Sequence, residues 1–175
     1  DKHPVSLTLP EDMLIKGDYN LCQQLKIPSG AKIVCLNIRD SAYYGANSLD
    51  NSVTSYRNTI ELVNFIEAIK YLINKGFYVI RMGRDVEKKF PLKDDMFIDY
   101  ANSNFSSDFM DIFLANKCEF FISTLTGWDS VPYYSFRKCG VFVNSVPTLY
   151  MQTYRDKVFY LAKKHFLKGT SKELG

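Results

Sequence analysis

The stretch from Lys32 to Asp40, KIVCLNIRD, limits what this chain can fold into more than any other part of the sequence. Its apolar residues, which run from Ile33 to Ile38, lack the polar alternation of a half-exposed strand. That pattern is typical of a parallel strand that is covered on both faces. Ligands of open α/β sheets bind outside the carboxyl ends of such strands, so Arg39 and Asp40 are candidate ligand contacts. The alternative is a surface ion pair between Arg39 and Asp40 that only caps the strand.

Strand-like and helix-like segments alternate along the rest of the chain. Further strands are predicted at four places: Phe77 to Met82, Met96 to Tyr100, Glu119 to Ile122, and Val141 to Val143. Helices are predicted at three places: from a cap at Asn58 to a glycine stop at Gly76, after a cap at Ser106 or Ser107, and from Trp128 to Lys138. This order implies parallel strands, right-handed crossovers and helices on both faces, which is the α/β class. We expect five strands, with the strand at Ile33 central and the strands at Phe77 and Phe120 beside it.

The length and composition indicate one domain. A chain of 175 residues that is 46% hydrophobic buries one full core but is too short for two ordinary domains. We expect a core over about residues 30–145, a lead-in over 1–29 and a tail over 146–175. The lead-in holds two short helical candidates, Glu11 to Ile15 and Asn20 to Leu25, and Val158 to Ala162 in the tail fits an edge strand or a helical turn. Because no initiating methionine is present and the end is polar, we expect a piece of a longer chain.

A loop of small polar residues, Ser123 to Gly127, joins the predicted fourth strand to a helical stretch. Hydroxyl groups, free backbone N–H groups and the positive end of a helix together bind phosphate well. The loop is therefore a candidate phosphate site, although plain helix caps have a similar composition. Arg81 and Arg84, around the end of the second strand, are further candidates for contact with an anionic ligand.

Charge and motif content argue against several function classes. The formal net charge is only +3 and the basic residues are scattered, so no nucleic-acid footprint is indicated. The four cysteines have no metal-binding spacing, which favours buried thiols in a reducing compartment. The only histidines, His3 and His165, lie in the two tails, which argues against histidine-based catalysis. No apolar run approaches the roughly 18 residues of a membrane span, and a soluble, cytoplasmic protein is expected.

A series of motifs between Cys35 and Asn144 carries a family resemblance. In chain order they are CLNIRDSAYY, SYRN, VIRMG, IDYANS, SDFMDIFL, KCEFFISTLTGWDSVP and VFVN. Together they resemble a family of bacterial glycosyltransferases found among surface-polysaccharide enzymes. That family is similar in turn to the nucleotide-sugar-binding half of two-domain, GT-B type enzymes related to the fucosyltransferases. The resemblance implies a Rossmann-like, mainly parallel sheet that binds a nucleotide-diphosphate sugar, with a GDP-sugar favoured.

The resemblance also implies roles for individual residues. Asn37 and Arg39 fall on a His-x-Arg motif whose arginine holds the diphosphate of the sugar donor, with Asn37 in place of the histidine. Arg39 is thus the expected catalytic residue, and Asp40 is an expected substrate contact at the same strand end. The hydroxyl-rich loop that meets the phosphates matches Ser123, Thr124, Thr126 and Gly127. The loop that lines the base and ribose matches Asp99 and Tyr100.

Enzymes of this kind usually need no metal or other cofactor, since an arginine and a helix N-terminus neutralise the leaving diphosphate. The family also has an N-terminal domain for a glycan or lipid-linked acceptor, which this sequence lacks, so the catalytic base is expected outside these residues. Peripheral attachment to the inner face of the membrane is compatible with the expected cytoplasmic location. Two alternatives stay open: a non-catalytic nucleotide-binding or partner-binding module, and a sugar-nucleotide epimerase with the same two-domain architecture.

Overall fold

The computed structural model describes residues 5–39, 42, 61–145, 157–167 and 169–174. The strands within these ranges are β1 (Lys32–Asn37), β2 (Phe77–Met82), β3 (Phe97–Ile98), β4 (Phe120–Ser123), β5 (Cys139–Ser145), β6 (Val158–Ala162), β7 (His165–Phe166) and β8 (Glu173–Leu174). The first six form one sheet in the order β3-β2-β1-β4-β5-β6, and every neighbouring pair is parallel. The last two form a small antiparallel ribbon.

The central position predicted for β1 is confirmed, with β2 on one side and β4 on the other. The described residues add a sixth strand to the five expected, because β6 pairs with β5 and lies at the edge of the sheet. The stretch from Val158 to Ala162 is therefore a strand and not a helical turn. The predicted third strand is shorter than expected, since Tyr100 already begins a 3-10 turn.

Burial explains the unbroken apolar run of β1. Ile33 and Cys35 belong to the hydrophobic cluster on one face of the sheet, whereas Leu36 and Ile38 belong to the cluster on the other. All four side chains are at most 3% exposed. A strand covered on both faces needs apolar side chains at successive positions, so the polar alternation is absent.

Helices cover both faces of this sheet. They are α1 (Glu11–Gln24), α2 (Ile66–Asn74) and α3 (Asp108–Lys117) within the described ranges. Leu21 of α1 and Phe113 of α3 enter the first cluster, and Ile69 of α2 enters the second. The predicted arrangement of helices on both sides is confirmed. Among the described residues, every helix is too short or too polar to span a bilayer.

The lead-in forms one helix, so the prediction of two short helical segments is wrong. The reason is Gly17, which reads as a break in the sequence but lies inside α1 and is buried. A Cβ atom at Gly17 would come within 2.1 Å of the Phe113 ring, so the glycine allows α1 to approach α3 closely. Lys117 and Asp18 add an ion pair of 2.7 Å across the same contact.

The helix boundaries agree only in part with the sequence. Ser107 caps α3 as predicted, with its hydroxyl accepting from the Met110 N–H at 3.3 Å. Gly76 follows α2 with a φ of 83°, as expected for a glycine stop, whereas Asn58 lies outside the described residues. The helix expected from Trp128 to Lys138 is only a π-helical turn at Val131–Ser135.

Candidate functional site

A cleft of about 470 Å³ opens at the carboxyl edge of the sheet, where β1, β2 and β4 end. The residues that line it are Asn37, Ile38, Arg39, Met82, Gly83, Arg84, Asp85, Val86, Asp111, Thr126, Gly127 and Trp128. Four of the expected donor contacts are among them: Asn37, Arg39, Thr126 and Gly127. The cleft therefore brings the strand-end arginine together with part of the hydroxyl-rich loop.

A chain of hydrogen bonds orders the polar side chains at this edge. Asn37 Nδ2 donates to Thr126 Oγ1 at 2.7 Å, and Thr126 Oγ1 donates to Asp129 Oδ1 at 3.0 Å. Asp129 is fully buried, and its other oxygen accepts from the Thr126 N–H at 2.6 Å. The single hydroxyl hydrogen of Thr126 is thus committed to Asp129 and is not available to a ligand.

Ser123 and Thr124 lie behind the cleft instead of lining it. Thr124 is 2% exposed, and its hydroxyl accepts from the Arg39 N–H at 2.7 Å. Its own N–H donates to the Asn37 carbonyl oxygen at 3.1 Å, which extends the contact between β1 and β4 beyond the strand ends. Ser123 is completely buried, and its Oγ has no hydrogen-bond partner among the described residues.

The strained backbone position of the loop is Leu125, not Gly127. Leu125 has a φ of 66°, in the left-handed region, whereas Gly127 has no positive φ. A Cβ atom at Gly127 would have no neighbour within 4 Å among the described residues. The glycine therefore leaves open space beside the cleft and is not required by the backbone conformation.

Two further residues expected to contact the sugar donor, Asp99 and Tyr100, do not line the cleft. Asp99 accepts from the Phe90 N–H at 2.9 Å and from Asn102 Nδ2 at 2.7 Å, and it pairs with the buried Arg81 at 3.2 Å. Tyr100 is fully buried, and its hydroxyl oxygen accepts from the Ser107 N–H at 2.9 Å. Asp40, the other strand-end residue, lies outside the described part of the chain.

Arg84 is the second arginine of the cleft, and it forms an ion pair with Asp108 at the start of α3. In the sequence, Arg81 and Arg84 are equal candidates for contact with an anion. Burial separates them, since Arg81 is 0% exposed and donates to the Lys88 carbonyl oxygen at 2.8 Å. Arg84 remains at the surface, where it can meet a ligand.

Asp111 and Trp128 line the cleft although their sequence context does not mark them as site residues. Asp111 reads in the sequence as an ordinary acid in the first turn of a helix, and Trp128 reads as a helix start. Partial burial raises the pKa of Asp111, against the lowering effects of the Tyr100 hydroxyl and of Arg84. A carboxyl group with a raised pKa in a cleft is a signal of function that only the folded structure provides.

One solved structure places this architecture among known proteins. It is that of the E. coli ADP-heptose LPS heptosyltransferase II, which is similar over 94% of this chain with a TM-score of 0.56 and 13% sequence identity. The chain shares the fold of part of that heptosyltransferase. It spans about half of the heptosyltransferase, 46% of that chain. The expected α/β, Rossmann-like class is thereby confirmed, whereas no family model and no curated protein matches the sequence.

Proposed function

We propose that this chain is the donor-binding domain of a GT-B type glycosyltransferase and that a nucleotide-diphosphate sugar binds in the cleft. The observation that supports this proposal most directly is the position of the cleft at the carboxyl ends of β1, β2 and β4. β2 and β3 extend the sheet to one side of β1, and β4, β5 and β6 extend it to the other. Open α/β sheets bind ligands at this point of reversal, outside the carboxyl ends of the strands. The fold shared with a heptosyltransferase supports sugar transfer as the general role.

Two arginines supply the positive charge that a diphosphate requires. Arg39 and Arg84 both line the cleft, on the loops that follow β1 and β2. A guanidinium group donates two parallel hydrogen bonds to a phosphate, and such charge-assisted bonds are stronger than neutral ones. Arg39 then stabilises the negative charge that develops on the departing diphosphate, which is the role a metal ion has in other transferases.

The neutral donors of the site differ from those suggested by the sequence. Because the Thr126 hydroxyl donates to Asp129, phosphate contact from this loop falls to the backbone N–H of Gly127 and the second amide hydrogen of Asn37. Ser123 and Thr124 contribute by shaping the loop from behind. Asp99 and Tyr100 contribute through the loops that they hold, since neither lines the cleft.

The finer parts of the proposal concern the whole enzyme. The donor is a GDP-sugar, no metal takes part, and a second domain supplies the glycan or lipid-linked acceptor and the catalytic base. The enzyme acts in surface-polysaccharide synthesis, on the fucosyltransferase-like plan, in the cytoplasm or at the inner membrane face. The similar heptosyltransferase is named for an ADP-sugar, so the choice of base needs a direct comparison of nucleotides.

Calorimetric titration of the chain with GDP, UDP, ADP and free sugars, with and without EDTA, tests the proposal. One nucleoside diphosphate is expected to bind, in the presence of EDTA as well, and Arg39→Ala is expected to abolish that binding. A module without a donor site binds none of them, which is the result that overturns the proposal. Net release of nucleoside diphosphate from a nucleotide sugar in the complete enzyme separates transfer from epimerisation, because the product of an epimerase is still a nucleotide sugar.

A further inference from the structure

Asp111 and Trp128 form a fixed pair in the wall of the cleft that the expected donor contacts leave unused. Trp128 Nε1 donates to the Asp111 carbonyl oxygen at 3.2 Å. The indole ring packs edge-on against the Phe121 ring, with centroids 6.2 Å apart at an angle of 90°. The ring is therefore held on two sides, and it ties the loop after β4 to the first turn of α3.

One carboxylate oxygen of Asp111 is engaged and the other remains for a ligand. Oδ1 accepts from the Tyr100 hydroxyl at 2.9 Å, the nearer of two acceptors of that hydroxyl. The described residues provide no hydrogen bond to Oδ2, although Asp111 lines the cleft. A carboxylate only accepts, so the ligand group that meets Oδ2 must be a donor.

The chemistry of the pair indicates which donor this is. A phosphate group is excluded as the partner of Asp111, because two anions repel each other. The hydroxyl groups of a sugar are neutral donors, and the C–H face of a sugar ring is apolar enough to pack on an aromatic ring. A carboxylate beside an indole thus matches a sugar ring in both respects.

We propose that Asp111 and Trp128 form a sugar-ring subsite of the cleft. The carboxylate accepts a hydroxyl group of the ribose or of the transferred sugar, and the indole packs on the same ring. The Tyr100 bond orients the carboxylate before the ligand arrives, which lowers the entropic cost of binding. This inference rests on the proposed donor site.

The test compares dissociation constants of the wild-type chain and of Asp111→Asn. The ligands are the nucleoside diphosphate that the wild type binds best, its 2′,3′-dideoxy analogue and the corresponding nucleotide sugar. Asn has the same size and still accepts from the Tyr100 hydroxyl, but it carries no charge. The variant is therefore expected to bind about tenfold more weakly the ligand whose hydroxyl group donates to Asp111 in the wild type. If that hydroxyl is on the ribose, the diphosphate loses affinity and the dideoxy analogue does not. If it is on the transferred sugar, only the nucleotide sugar loses affinity.

Control variants separate this role from general damage to the fold. Asp12→Asn makes the same change on the exposed first turn of α1 and is expected to leave every dissociation constant unchanged. Trp128→Phe is expected to keep most of the affinity for the sugar-bearing ligand, and Trp128→Leu to lose it, with thermal midpoints recorded for both.

Equal affinities of wild type and Asp111→Asn for all three ligands overturn the subsite while the donor site stands. An equal loss of affinity for the dideoxy analogue and for the parent diphosphate also overturns the subsite, because the carboxylate then accepts from the nucleobase and not from a sugar hydroxyl. A wild-type chain that binds no nucleoside diphosphate overturns the donor site and the subsite together.

Discussion

Asn37 on β1 donates a hydrogen bond to the hydroxyl of Thr126, 89 positions further along the chain, across 2.7 Å. The bond joins the carboxyl end of the central strand to the loop after β4 at the edge of the cleft. The Thr126 hydroxyl in turn donates to the buried carboxylate of Asp129. The loop is thus held in one arrangement before any ligand binds.

Thr126→Val is expected to destabilise the protein and to weaken nucleotide binding. The change removes the acceptor of the Asn37 amide and one hydrogen bond to the buried Asp129, and an unsatisfied buried polar group costs about 1–3 kcal/mol of unfolding free energy. Chemical denaturation measures this loss. Thr126→Ser keeps the hydroxyl and serves as the matched control. Wild-type stability in the valine variant would show that the Asn37–Thr126–Asp129 chain contributes little.

Replacement of Arg39 by Lys or Ala is expected to remove most sugar transfer in the complete enzyme while the thermal midpoint changes little. Loss of a contact to developing charge typically costs about 3 to 4 kcal/mol of transition-state stabilisation, a hundredfold to a thousandfold in rate. A partly exposed arginine adds little to stability by comparison. Turnover and thermal midpoint are measured on the same preparations, with Lys89→Ala at an exposed position as the control. Full activity with lower stability would instead identify Arg39 as a strand cap.

Gly127→Val is expected to leave the fold intact and to impair nucleotide binding. The backbone at Gly127 has no positive φ, and a Cβ atom there meets no described atom within 4 Å, so the free protein is expected to accept a side chain. The same space borders the cleft, where a ligand phosphate would meet the new methyl groups. Titration of Gly127→Ala and Gly127→Val with the preferred diphosphate checks this, and undiminished affinity in both would place the phosphate elsewhere.

Gly17→Ala is expected to destabilise the protein even though alanine is the better helix former. A Cβ atom at this position overlaps the Phe113 ring at 2.1 Å, and such overpacking typically costs about 1–3 kcal/mol. The intrinsic helix preference returns only about 0.5–1 kcal/mol. Urea denaturation measures the difference, and Phe113→Leu in the same background should recover part of it. A stabilised alanine variant would mean that α1 and α3 are not in close contact.

Asp111 in the cleft is expected to make the free energy of unfolding depend on pH, with lower stability at higher pH. Burial raises the pKa of Asp111 above its ordinary value of 3.8, so the folded state holds this proton in a range where the unfolded state has lost it. The free energy of unfolding therefore decreases as the pH rises from about that value through the raised pKa. Asp111→Asn removes this contribution and is expected to gain stability relative to the wild type as the pH rises through the raised pKa. Parallel stability curves of the two proteins would contradict the raised pKa.

Local patterns predicted the fold well because they reflect burial that is repeated along each element. Three predictions that depend only on residues close in sequence are confirmed: the buried strand β1, the cap at Ser107 and the glycine after α2. Gly17 shows the limit of such patterns. A glycine in a helix is a break or a close contact, depending on whether a ring such as that of Phe113 lies opposite.

The parallel α/β sheet, the central place of β1 and the position of Arg39 after its carboxyl end were predictable from the chain alone, because side-chain periodicity over a few residues locates the strands. Packing between distant elements was needed to show which polar groups meet in the cleft. In the folded protein the Thr126 hydroxyl donates to Asp129, Tyr100 is buried in the core, and Asp111 lies beside Trp128. Hydrogen bonds form between groups about 3 Å apart, and that proximity is created by packing among elements far separated in the chain.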